Sequence, residues 1–320
     1  MKLPTFNLFL SLLIMIFIFS CEDASNPVTT YPEVDRAATI PNDIEKRGPE
    51  SDKHPPILHS SDYEQPISLP LTINTAGVED SPFILPDGKT LYFFFTPDVR
   101  IPAEQQILDD VSGVWVTQKV GDSWSNAERV WLQDPGKLAL DGAVCVQNNE
   151  MWFASAREGY TGLNMFTAEW INGKWQNWRY AGDRLMKEIR IGEVHIHGNE
   201  LYFHSDRPGG KGGLDIWKTT RNGDNWSEPV NMGELNSSGM DGYVFVSSDG
   251  TQLWFTRTYH GTPGVFVSLN IDGMWSEPEL VVSQFAGEPT LDDSGNLYFV
   301  HHYFENDIMI EADIYVAYKK

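Results

Sequence analysis

The chain has 320 residues, of which 41% are hydrophobic, 12% aromatic and 21% charged, a composition that fills a core and excludes a disordered chain. Its 45 acidic against 23 basic residues give a formal charge of -22, which disfavours nucleic acid as a partner. The two cysteines, Cys21 and Cys145, are too few for a disulfide-built scaffold, so stability must come from packing.

In chain order, Lys2 precedes an apolar run from Leu8 to Phe19 that only Ser11 interrupts. The run is short for a membrane-crossing helix and has the shape of a secretory signal core, which sets residues 1–20 apart as a signal peptide. Ser20 before Cys21 resembles the lipobox of bacterial lipoproteins. That resemblance implies palmitate-type acylation at Cys21 and a place on the outer membrane, facing the periplasm or the cell surface. The lipid anchor would be the only membrane contact. The alternative is an ordinary secretory signal with Cys21 as a free thiol. Cys145, within Ala143-Val144-Cys145-Val146, reads as a small buried hydrophobe and not as a nucleophile. Residues 21–56 are rich in Pro, Asp, Glu, Ser and Thr without apolar periodicity, the pattern of a flexible tether.

From residue 57 onward the sequence repeats. The triplets Leu91-Tyr92-Phe93, Met151-Trp152-Phe153, Leu201-Tyr202-Phe203, Leu253-Trp254-Phe255 and Leu297-Tyr298-Phe299 each follow a turn such as Pro86-Asp87-Gly88 or Ser248-Asp249-Gly250, which predicts a strand after a hairpin. A further strand follows in each unit, at Trp115, Phe166, Trp217, Phe266 and Tyr315, spaced 51, 51, 49 and 49 residues apart. A fourth opens at Trp124, Trp175, Trp226 and Trp275. Four short strands in about 50 residues mark a β-propeller blade, because one such sheet buries both faces only when neighbours stack on it. The last unit ends without its fourth strand, whereas Tyr63-Glu64-Gln65-Pro66-Ile67-Ser68-Leu69 copies Trp226-Ser227-Glu228-Pro229-Val230-Asn231-Met232. The expected fold is all-β: a five-bladed propeller over residues 57–320, closed by an N-terminal strand completing the last blade. Closure of this kind removes open sheet edges.

The stretches Ser81-Pro82-Phe83-Ile84-Leu85-Pro86-Asp87-Gly88 and Ser205-Asp206-Arg207-Pro208-Gly209-Gly210 resemble the WD40-like repeats of TolB-type exported bacterial propellers. The resemblance covers nearly all of the mature domain and implies the fold; propellers carry many chemistries.

Each inner strand begins with a carboxylate: Glu79 and Asp80, Asp141, Glu193, Asp241 and Glu288. Simple alternation puts Ser81, Ala143, His195, Tyr243 and Thr290 on the same side as Glu79, Asp141, Glu193, Asp241 and Glu288. The second strands return to this mouth with Arg157, His204, Arg207, Arg257, Tyr259, His301, His302 and Tyr303. The alternative reading of the acids is turn capping, and that of the arginines a surface or salt-bridged position.

Three functions follow. In the first, a carbohydrate-active lyase or dehydratase acts by elimination on uronic-acid-containing oligosaccharides in polysaccharide degradation. His195 is then the base and Tyr243 the acid, with Glu193 beside them. Arg157, Arg190, Arg207, Arg257, His204 and His301 bind substrate, the arginines neutralising the sugar carboxylate. Architecture and size are similar in outline to the oligosaccharide dehydratase of ulvan breakdown. In the second, the chain is similar to five-bladed glycoside hydrolases of the arabinanase type, and Asp80, Asp141 and Glu193 supply the carboxylates that acetal hydrolysis needs. In the third, the propeller binds glycans or acts as an envelope scaffold without catalysis, Trp131, Trp170 and Trp178 offering stacking surfaces. A monomer with an oligosaccharide partner and no cofactor is expected, and Ca²⁺ held by the ring of oxygens is the alternative.

Overall fold

The repeat folds as a series of antiparallel meanders in the computed structural model, which describes residues 30–181, 192–223 and 225–320. The chain enters through α1 (Arg36–Thr39), β1 (Ile57–Leu58) and β2 (Ile67–Ser68). The first meander holds β3 (Val78–Ile84), β4 (Thr90–Thr96), the short helix α2 (Ala103–Gln106), β5 (Gly113–Val120), β6 (Ser123–Trp124) and β7 (Glu128–Arg129). The second holds β8 (Ala139–Gln147), β9 (Glu150–Arg157), β10 (Leu163–Ile171) and β11 (Lys174–Tyr180). In the third come β12 (Val194–His197), β13 (Glu200–Ser205), β14 (Asp215–Asn222), β15 (Asn225–Trp226) and β16 (Val230–Asn231). The fourth has β17 (Asp241–Val246), β18 (Gln252–Tyr259), β19 (Thr262–Ile271), β20 (Met274–Trp275) and β21 (Glu279–Ser283). The last has β22 (Ala286–Leu291), β23 (Leu297–Glu305) and β24 (Ile308–Ala317).

Turn chemistry sets the hairpins. At Pro86-Asp87-Gly88 the backbone turns left-handed at Gly88 (φ 67°), and the Lys89 N–H donates to Asp87 Oδ1 at 2.9 Å. Gly250 (φ 71°) and a 3.0 Å bond from Thr251 N–H to Asp249 Oδ1 repeat the device. Adjacent strand residues face opposite sides, so an aromatic doublet buried at both positions means a sheet covered on both faces. Phe93, Phe153, Phe203, Phe255 and Phe299 are fully buried, and Tyr92, Trp152, Tyr202, Trp254 and Tyr298 nearly so. Each such ring contributes about 1.5–3 kcal/mol by leaving water.

The innermost strands β3, β8, β12, β17 and β22 touch in chain order, and β22 returns to β3. That closed ring of radially stacked meanders is a β-propeller. The last meander is completed from the N-terminal side: β2 pairs antiparallel with β24 through Ile67 opposite Val316 and Ser68 opposite Tyr315. Tyr63 extends this with a bridge to Lys319, and β1 joins β21.

Within the expected tether, residues from Tyr31 to Pro56 are instead a strap docked on the propeller. The Asp35 side chain caps α1 through Ala38 N–H. Arg36 is buried, pairs with Glu79 at 3.4 Å and lies 5.1–5.7 Å from the Phe95, Phe93 and Trp115 rings. Further along, Lys46 reaches Glu311 and Asp313, and Asp52 meets His301 at 2.8 Å. Buried charges of the meanders, which apolar periodicity does not register, hold this segment. Arg100, in the loop that carries α2, is held by Asp98 and by Asp43 of the strap. The signal peptide, the acylation expected at Cys21 and the tether up to residue 29 lie outside the described residues.

Candidate active site at the central cavity

An irregularity shared by four of the inner strands, β3, β8, β17 and β22, decides which side chains meet. Register shifts fall between Asp80 and Phe83, Gly142 and Cys145, Gly242 and Phe245, and Gly287 and Thr290. Inside these shifts Ser81, Ala143, Tyr243 and Glu288 have left-handed backbones, with φ of 47°, 49°, 54° and 54°. A bulge inserts one residue and reverses the alternation beyond it. The acids expected to share one side therefore separate. Glu79, Asp141 and Asp241 turn into the body of their meanders and are fully buried. Glu193, Glu288, Ser81, Ala143 and Tyr243 line the central cavity, with Asp80 beside them.

The first set is structural. Asp141 pairs with Arg157 at 2.7 Å. Arg157 also donates to Ser155 Oγ at 2.9 Å and lies 4.2 Å from the Phe166 ring and 4.8 Å from that of Trp178. Asp241 pairs with Arg257 at 2.6 Å, and the guanidinium lies 5.0 Å from Phe266. Glu79 takes Arg36 from the strap in the same way. The turn-capping alternative also holds here, since Glu79 accepts from Thr75 N–H at 2.8 Å and Asp241 from Ser237 N–H at 2.6 Å. Arg157 and Arg257, expected to bind substrate, are therefore committed to ion pairs with buried carboxylates. Arg207 lies 4.9 Å from the Trp217 ring and 5.5 Å from Phe203, and Arg190 lies outside the described residues. Among the described residues the cavity lining contains no arginine, so they do not form there the local positive patch that a uronic acid requires.

The histidines also separate. His195 occupies the layer beneath the mouth, its ring 4.8 Å from Phe245 and 6.2 Å from Phe83, with Nδ1 3.6 Å from Cys145 Sγ. Burial, and then the neighbouring His197, push its pKa down to about 3. An imidazole so depressed is neutral and a poor base at neutral pH, which removes the base from the elimination reading. Cys145 is itself pushed up to about 12 by burial and is inert, as its apolar surroundings predict. His204 accepts the Tyr243 N–H at Nδ1 (3.1 Å), and burial lowers its pKa to about 4. Gly192 is required beside it, because a Cβ there would stand 1.7 Å from His204 Nε2. His301, under the strap, is bound to Asp52 and is fully buried.

What remains at the mouth is a carboxylate cluster drawn from separate meanders. Ser81 Oγ donates to Glu193 Oε1 at 3.1 Å, and Ser81 N–H to Asp80 Oδ1 at 3.0 Å. His302 Nε2 stands 3.7 Å from Asp80 Oδ1. The Glu288 N–H is fixed on Thr256 Oγ1 at 2.8 Å. Burial, then the Asp80 charge, push Glu193 up to about 8. Burial, then Asp80 and Glu193, drive Glu288 well above the carboxylate range. For Asp80 burial acts upward, but the His302 hydrogen bond and charge and the Ser81 N–H together hold it below its ordinary value. The cluster therefore sets an Asp80 held below its ordinary value against a Glu193 and a Glu288 raised above theirs. Tyr243 is raised by burial and by Glu288, Glu193 and Asp80, and keeps its phenolic proton.

Asp80 and Glu193 stand in the hydrolytic set read from the sequence. Glu288 stood only among the strand-start acids, because alternation obscured which of those acids meet. A sharper signal was available: Asp80 stands where the other inner strands carry Gly142, Gly192, Gly242 and Gly287.

Comparison with known proteins leaves the chain without a family: no family model matches, and no curated protein matches. Among solved structures it is similar to TolB from Acinetobacter baumannii at 12% identity and a TM-score of 0.43, covering 78% of this chain and 56% of that one. An endo-arabinase from Bacteroides thetaiotaomicron aligns at 15% identity and a TM-score of 0.48, covering 79% of this chain and 96% of that one. The Bacteroides ovatus xyloglucan PUL GH43B gives 12% identity and a TM-score of 0.48, covering 79% of this chain and 54% of that one. At such identities and scores these likenesses assign no chemistry, and the case for function rests on the cavity.

Proposed function

We propose that this chain is a five-bladed propeller that hydrolyses glycosidic bonds in oligosaccharides, exported and lipid-anchored through Cys21. One observation carries the hydrolytic reading: Asp80, Glu193 and Glu288 come from separate blades to one cavity, where burial and mutual charge raise Glu193 and Glu288 while His302 and the Ser81 N–H lower Asp80. Acetal hydrolysis needs an acid and a base of this kind. Glu193 gives its proton to the glycosidic oxygen as the bond from the anomeric carbon breaks. Water attacks that carbon, and its proton passes to Asp80, with Glu288 beside it. One water is consumed, and exchange with solvent returns the carboxyl groups to their starting states. Asp141, held by Arg157, leaves the hydrolytic set and Glu288 takes its place. Elimination is disfavoured by the depressed basicity of His195 and by the acidic cavity, which repels a uronate. The test is to incubate the protein with neutral and acidic oligosaccharides and follow new reducing ends. In the same reactions, ultraviolet absorbance detects unsaturated uronic acids. Reducing ends without absorbance support hydrolysis; absorbance supports elimination.

A further inference from the structure

The geometry points to a divalent transition-metal site at the mouth of the central cavity, formed by Asp80 of β3, Glu288 of β22 and His302 of β23. One ligand atom from each residue lies within 4.8 Å of the other two, and His302 Nε2 is 3.7 Å from Asp80 Oδ1. A metal about 2.0–2.2 Å from nitrogen and oxygen donors holds neighbouring donors roughly 3–3.5 Å apart, so only a small closure is needed. Glu288 Oε2 is shut off from solvent, and the carboxyl group faces Asp80 and Ser81; a cation bound there would take the place of the proton that Glu288 otherwise shares with Asp80.

The supporting backbone is fixed. Glu288 N–H is bound to Thr256, and His302 N–H donates to the Phe285 carbonyl at 3.0 Å. One imidazole nitrogen with two carboxylates suits Zn²⁺ or Mn²⁺ better than Ca²⁺ or Mg²⁺, which take oxygen donors. The oxygen-only Ca²⁺ ring considered from the sequence is thus replaced by a mixed site. Water would complete the coordination on the cavity side, where Glu193 stands on Ser81. This deepens the hydrolytic reading and rests on it only for the cation's role: with Asp80 coordinated, the cation in place of Asp80 would activate the attacking water by lowering its pKa.

The test uses the full chain, stripped with chelator and titrated calorimetrically with Zn²⁺, and separately with Mn²⁺ followed by electron paramagnetic resonance. The expected result is one site per chain, weakened by roughly tenfold or more in His302→Ala and in Glu288→Gln, since each loses a direct ligand. Circular dichroism verifies that the variants are folded, and two independent ligand variants guard against one failing to fold. No stoichiometric binding, or binding unchanged in both folded variants, overturns the site. Cation binding without hydrolysis of any oligosaccharide keeps the site and removes the hydrolytic role. Hydrolysis indifferent to chelator, with no cation bound, removes the site alone.

Discussion

Arg157→Ala separates a structural arginine from a substrate-binding one. In the wild type the guanidinium neutralises Asp141, which is fully buried, at 2.7 Å, and packs on Phe166 and Trp178. Removing it strands a buried carboxylate whose Oδ2 already lacks a partner among the described residues. Breaking a buried pair from one side costs about 3–5 kcal/mol. At about 2 °C per kcal/mol for a chain of this size, the melting temperature should fall by roughly 6–10 °C. The paired variant Asp141→Leu with Arg157→Met should recover most of the loss, because it leaves no unpaired charge. Thermal melts of the three proteins followed by circular dichroism provide the assay. A single variant that melts with the wild type while its KM rises would refute the reasoning and return Arg157 to the substrate.

Three further outcomes follow from the same geometry. Gly192→Ala should lower the melting temperature, because the new Cβ would overlap His204 Nε2 at 1.7 Å and displacing a packed ring costs about 1–3 kcal/mol. A wild-type melt in that variant would contradict the close approach. Glu193, raised to about 8, binds its proton more tightly in the folded state than in the unfolded one. Its contribution is present below the unfolded value and is lost as pH rises from about 4.5 through about 8, with a slope of at most about 1.4 kcal/mol per pH unit. In chelator, Glu193→Gln should flatten that part of the stability profile, and an unchanged slope would remove Glu193 as its source. Lys46→Ala leaves Glu311 and Asp313 without their cation, so limited proteolysis should cut within residues 31–56 where the wild type resists. Equal resistance would mean that the ion pairs do not hold the strap.

The aromatic doublets made the blade pattern legible, because a residue pair buried on both faces of a sheet leaves a local and periodic trace. Phe93, Phe153, Phe203, Phe255 and Phe299 are all fully buried, and the pairing of Ile67 and Ser68 with β24 followed from the copied strand. The site was legible only in part. The bulges at Ser81, Ala143, Tyr243 and Glu288 reverse the alternation by which the acids were aligned, and non-glycine residues in left-handed conformations carry no composition signal there. The strap was hidden for another reason. Arg36 meets Glu79 and Lys46 meets Glu311 across 43 and 265 residues, and isolated charges that find distant partners look, in sequence, like a solvated tether.

The most direct test of the central claim is reducing-end release from neutral oligosaccharides by the full chain, wild type against Glu193→Gln. The account predicts release by the wild type, a fall of roughly 100-fold or more when the proton donor is lost, and no rise in ultraviolet absorbance. Undiminished release by Glu193→Gln, or an absorbance rise in place of reducing ends, would contradict it.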